Sequence, residues 1–150
     1  MQTRPYWSAG DMALGSDHSD SLMTCRQLGN GSAPMAITYV FAGLVVANRN
    51  QAAAWYERLL GRPPDFLPND AEAVWQVAGT ASLYLLADAD RAGRGVMALV
   101  VDDLDASLAE VAGRGIVTGA IEEIPGAGRK AVITDPDGNV VSIVEILAPP

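Results

Sequence analysis

The chain contains one cysteine, one histidine and one lysine among 150 residues, and each scarcity excludes something. Cys25 alone cannot form an internal disulfide, which points to a reducing cytoplasm. His18 lies in the N-terminal stretch, so no histidine is left for a metal site in the rest of the chain. Lys130 and a few scattered arginines, set against a formal net charge of -8, form no basic stripe that would hold a phosphate backbone. Nucleic acid is therefore not an expected partner. No apolar run reaches membrane-spanning length, and the start "MQTRPYWSAGDMALGSDHSD" lacks the basic and then apolar pattern of a secretory leader. A soluble cytoplasmic protein is expected.

What is present is one domain's worth of apolar residues, 49% of the chain. Residues 1–34 mix Gly, Ser, Asp, Asn and Met without a helical or strand period, and a disordered tail is expected there. Met35, just before the first strand-like run, marks an alternative start. The domain expected over 35–150 opens with "AITYVFAGLVV", rich in β-branched and aromatic residues. Next, Ala52, Trp55, Tyr56, Leu59 and Leu60 recur at helical spacing, with Asn48 as N-cap, Gln51 at N3, and Gly61, Pro63 and Pro64 as the stop. Strands are expected near Asp65 to Leu67, Ala73 to Val77 and Ser82 to Leu86.

The order then repeats. "GVMALVV" predicts a strand and "DDLDASLAEVAGRG" a helix capped by Asp103, with Leu104, Leu108, Val111 and Ala112 on one face and Gly113 or Gly115 at its end. Strands near Thr118 to Glu122, at "KAVIT" and at "NVVSIVEI" complete a second half. "LVV" at 44–46 recurs at 99–101, each time leading into a capped helix. The chain reads as α+β, two βαβββ modules over about 37–88 and 95–147.

Several motifs have structural readings. "TDPDGN" joins two strands through a tight turn, with Asp135 and Asn139 bonding nearby backbone, Pro136 fixing φ and Gly138 supplying a positive φ. "PGAGRKA" lacks the lysine followed by Ser or Thr of a phosphate loop and leads into a strand. Trp55 and Tyr56 belong to the core stripe, and the aspartates at 102, 103 and 105 suit the start of a helix.

Together, the paired modules, "WYERLLG", "VVDDLDASLAEVAGRG" and "DPDGNVVSIVE" resemble the vicinal oxygen chelate superfamily of glyoxalase I, extradiol dioxygenases and bleomycin-resistance proteins, over Ile37 to Leu147. The resemblance implies a curved mixed sheet around a cavity, with helices on the outer face. It also implies four metal-ligand positions, which fall by register on Phe41, Tyr84, Val96 and Ser142. None of these is a usual divalent-metal ligand, so no metal and no cofactor are expected. Glu145 is an odd three residues from Ser142 and faces the other way.

Alternation then puts Gly43, Val45, Leu86, Ala98, Val100, Val140 and Val144 on the cavity side, and Leu44, Val46, Leu85, Met97, Leu99, Val101 and Ile143 toward the helices. One of Trp75 and Gln76 reaches the pocket. Arg129 either anchors an anionic group or pairs with a carboxylate. The expected function is metal-free binding of an apolar or aromatic small molecule, by a homodimer. An enzyme of the same superfamily (lyase, isomerase or dioxygenase) and a non-catalytic interaction subunit are the alternatives.

Overall fold

A computed structural model describes residues 33–147. The expectations placed on residues 1–32, including His18 and Cys25, lie outside the described residues. The elements run β1 (Val40–Val46), α1 (Arg49–Leu60), β2 (Glu72–Ala78), β3 (Ala81–Ala87), β4 (Val96–Val100), α2 (Leu104–Gly113), β5 (Glu122–Ile124), β6 (Gly128–Thr134) and β7 (Val140–Ile146).

Both helices begin as their caps dictate. Asn48 accepts from the Gln51 N–H at 3.0 Å, and Asp103 accepts from the Ala106 N–H at 2.9 Å, each satisfying an otherwise unpaired first-turn donor. Helix α1 stops at Gly61, whose φ of 77° suits glycine, and Arg114 donates from α2's end to the Arg58 and Leu59 carbonyls at the end of α1. On α2, Leu104, Leu108 and Val111 are buried, but Ala112 is exposed. Eight positions from Leu104, it has rotated about 80° off the stripe.

The strands form two sheets, β1-β3-β2 and β4-β7-β6-β5, not one continuous sheet. In both modules the first strand runs parallel to the last, which is antiparallel to the one before it. Phe66 makes an isolated antiparallel bridge to Val74, where the first sheet's fourth strand was expected. Strand β5 starts at Glu122, not Thr118, because the turn into β6 fixes its pairing at Glu122 with Lys130 and Ile124 with Gly128. The outer carbonyl of β1 is occupied without strand β4: Val45 accepts from the Gly93 N–H at 3.2 Å and the Asn139 side chain at 2.9 Å.

One core serves both modules. Ala52, Trp55, Tyr56 and Leu59 of α1 pack with Leu44, Val46, Trp75, Leu83 and Leu85, and the same cluster continues through Leu108, Ala131, Ile133, Val141 and Ile143. Met97, Leu99 and Val101 pack against it, on the helix side as alternation requires.

The "DPDGN" turn ties the modules together. Gly138 has the expected positive φ, 104°. The Asp135 side chain accepts from the Asp137 and Asn139 N–H groups at 2.9 and 2.8 Å, from Asn139 Nδ2 at 2.8 Å, and from Tyr56 Oη on α1 at 2.8 Å. Asn139 Oδ1 in turn accepts from the Gly95 N–H at 2.7 Å. The motif is a structural turn, as its residue types suggest, but its reach into the other module is not visible in the sequence.

Burial first, and then the Asp135 carboxylate, hold the Tyr56 hydroxyl above its ordinary pKa. A group raised in the folded state adds stability below its unfolded pKa, about 10 for tyrosine, which is lost as pH climbs above that value. Tyr56→Phe should cost about 1.5–3 kcal/mol at neutral pH, the range for hydrogen bonds to charged groups. Urea unfolding should show wild-type stability falling above about pH 10, with the variant losing most of that slope.

Candidate ligand-binding face

The sheet faces turned away from the helices carry the residues that sequence register assigned to a cavity. Phe41 pairs with Ser82, and Tyr84 lies two residues on; Val96 pairs with Val140, and Ser142 lies two residues on. The four positions are thus equivalent pairs in two modules of matching register. Tyr84 and Ser142 are half-buried, Phe41 is 37% exposed and Val96 79% exposed. With Val100 62% exposed as well, this face is open to solvent at β4 in a single chain.

A divalent cation held from these positions needs imidazole nitrogen or carboxylate oxygen. Phenyl, phenol, isopropyl and a single hydroxyl do not supply that donor set, so the residues do not fit the metal that enzymes of this fold use. Among the described residues no group of three or more His, Cys, Asp or Glu converges elsewhere.

Trp75 is not on this face. It is fully buried against Tyr56, with ring centroids 6.3 Å apart, and its Nε1–H donates to the Arg62 carbonyl at 3.0 Å. An indole buried this deeply needs a partner for its N–H, and the core side provides one. Gln76 faces outward opposite Ser82, its Nε2 donating to the Gly79 carbonyl at 3.3 Å.

Arg129 is also elsewhere. It pairs with Glu145 on the helix side, where its guanidinium meets Glu145 Oε1 at 3.0 Å, Glu145 Oε2 at 3.1 Å and Asp105 Oδ2 at 3.0 Å. Those bonds, Asp105's first, hold the guanidinium pKa above its ordinary value. Glu145 Oε2 also accepts from the Leu104 N–H at 2.8 Å, so the cluster fixes the start of α2 to the sheet. Of the two readings of Arg129, the carboxylate pair describes it.

Three further residues shape the open face. Tyr39 stands on the same side as Phe41, with ring centroids 5.0 Å apart, and its hydroxyl meets buried Ser82 Oγ at 2.7 Å. Counting the alternation back from Phe41 reaches it. Gly43 lies directly beneath the Tyr84 ring: a Cβ there would sit 2.5 Å from Tyr84 Cζ. Lys130, opposite Val144 on the second module, meets Glu122 at 3.6 Å. A separate cavity of about 180 Å³, lined by Leu59, Leu60, Leu99, Val101, Val111 and Ile143, lies on the helix side and belongs to a different surface.

No helix among the described residues is long and apolar enough to cross a membrane. No protein-family model and no curated protein matches the chain. Solved structures do. The chain is 37% identical to a glyoxalase/bleomycin resistance protein from Catenulispora acidiphila DSM 44928, covering 74% of this chain and 98% of that one with a TM-score of 0.68. It is 25% identical to TnmS3, an antibiotic-binding protein from Streptomyces sp. CB03234, over 75% and 98% of the two chains with a TM-score of 0.62. A bleomycin-binding protein complexed with bleomycin shares the fold at 24% identity, over 69% and 93%, with a TM-score of 0.58. Two βαβββ modules with this register and this likeness define the class: the chain belongs to the glyoxalase/bleomycin resistance superfamily, the vicinal oxygen chelate fold.

Gly43→Ala should leave the fold intact, since its backbone is ordinary strand, but force the Tyr84 ring off the sheet. Comparison of aromatic NMR signals should show Tyr84 displaced while the core ring Trp75 is unmoved.

Proposed function

We propose that this protein is a metal-independent binder that sequesters a small apolar or aromatic molecule on the open face of its sheets, without converting it. The observation that carries the reading is the donor set: a family frame with matched register in both modules holds Phe41, Tyr84, Val96 and Ser142 where metal-using members need ligands. The likeness to an antibiotic-binding protein supports small-molecule binding as the role. Ser142 and Gln76 are the polar groups placed to orient a ligand among apolar walls.

The exposure of Val96 and Val100 leaves an apolar strand face uncovered in one chain. A second copy related by a two-fold axis is the proposed cover, making the working form a homodimer in the cytoplasm. Light scattering should give twice the chain mass, whereas a monomer at every accessible concentration would remove that part of the proposal.

Elemental analysis of protein purified without chelator should find no stoichiometric Zn, Ni, Fe or Mn. A thermal-shift screen of antibiotics that includes bleomycin should return a stabilising compound, because a ligand bound only by the folded state raises apparent stability. Calorimetry with that compound should show Tyr84→Ala weakening binding about tenfold, roughly 1.4 kcal/mol. Product formation would place the protein among the superfamily's enzymes instead.

A further inference from the structure

The first module's open face has a chemistry of its own. Tyr39, Phe41 and Tyr84 form a line of rings: centroids lie 5.0 Å apart with planes tilted 39° for the first pair, and 6.5 Å apart at 64° for the second. The line is anchored at both ends. Ser82 holds the Tyr39 hydroxyl, and the missing side chain at Gly43 lets the Tyr84 ring lie close on the strand. Rings held in place before a ligand arrives lose little freedom when one stacks on them.

The strip's own strands carry charge of one sign. Strands β1, β2 and β3 contain no lysine or arginine and one carboxylate, Glu72. Glu72 pairs with Leu86, and Val74 pairs with Tyr84, so Glu72 shares the open face as a diagonal neighbour of Tyr84, a spacing of about 7–8 Å in such sheets. Its Oε2 accepts from Asn69 Nδ2 at 3.0 Å, a neutral donor that leaves the carboxylate its charge. Nearby arginines are engaged elsewhere: Arg62 with Asp65 and the Gln76 carbonyl, Arg49 with the Asn69 carbonyl, and Arg91 with Asp88. On the second module's open face, Lys130 is already paired with Glu122. Aromatic faces are themselves electronegative and attract cations, and the chain's net charge of -8 adds a field of the same sense.

Resting on the binding role above, we propose that this strip selects a planar aromatic cation, its ring stacked against Phe41 and Tyr84 and its positive charge toward Glu72. An anion of the same outline meets the same rings but gains no partner.

Fluorescence titration of the full chain with two probes tests this: aminoacridine, a planar tricyclic cation at neutral pH, and anthracene carboxylate, an anion with the same ring outline. Aminoacridine should bind about tenfold more tightly, and the margin should shrink as salt is raised. Glu72→Gln, a near-isosteric change, should weaken aminoacridine about threefold without weakening the anthracene carboxylate, a factor within the range of a partly solvated charge contact. Tyr84→Ala should weaken both probes, with circular dichroism confirming that each variant is folded. Equal affinity for the two probes, or indifference of aminoacridine to Glu72→Gln, would overturn the charge preference; if Tyr84→Ala still weakened both, the binding face would stand without it. Absence of aminoacridine binding, or binding that survives both substitutions, would overturn the strip as its site.

Discussion

The Asp135 carboxylate is only 4% exposed, and no lysine or arginine among the described residues bonds to it. Such a group is costly to bury unless its lone pairs are filled, and here four hydrogen bonds fill them. Three are local to the turn. The fourth comes from Tyr56, 79 residues away on the other module's helix, and that one sets how the two halves meet. Asn139, fully buried beside it, occupies the outer carbonyl of β1 and the N–H of Gly95 just before β4. The side-chain bonds at this turn therefore link the two sheets without a continuous strand ladder, alongside the core that both modules share.

On that frame the modules keep the same register while their chemistry diverges. Asn48 and Asp103 start equivalent helices, and Leu44 and Val46 in one half, like Leu99 and Val101 in the other, face the helix side. Yet Tyr84 in the first module corresponds to Ser142 in the second, and Phe41 to Val96. Glu72 and Lys130 occupy matching positions two residues before the pairs Val74 with Tyr84 and Val132 with Ser142. One half thus presents rings with an acid, the other aliphatic groups with a neutralised base. Under the proposed binding role, such a pairing would offer a ligand one stacking wall and one smooth wall, with few polar contacts to fix its orientation.

Much of this was legible in the residues, because it depends on local periods and caps. The helix stripes, the N-caps at Asn48 and Asp103, the Gly61 stop and the alternation of Leu44, Val46, Leu99 and Val101 are all written within a few residues of where they act. What was not legible depends on partners far along the chain. Nothing near Asp135 names Tyr56, and nothing near Arg129 says that Glu145 and Asp105 will claim it. Trp75 and Gln76 could not be assigned to faces from a short run of strand, and a register shift between Gln76 and Ala78 further blurs its phase. Tyr39 lies one residue before β1, and the alternation carried back from Phe41 leads to it.

Metal independence is the claim on which the functional account turns. Its most direct test is calorimetric titration of a screened ligand into protein exhaustively treated with chelator, then repeated after adding back zinc or manganese. The account predicts one affinity under all conditions. Binding abolished by the chelator and restored by either ion would contradict it.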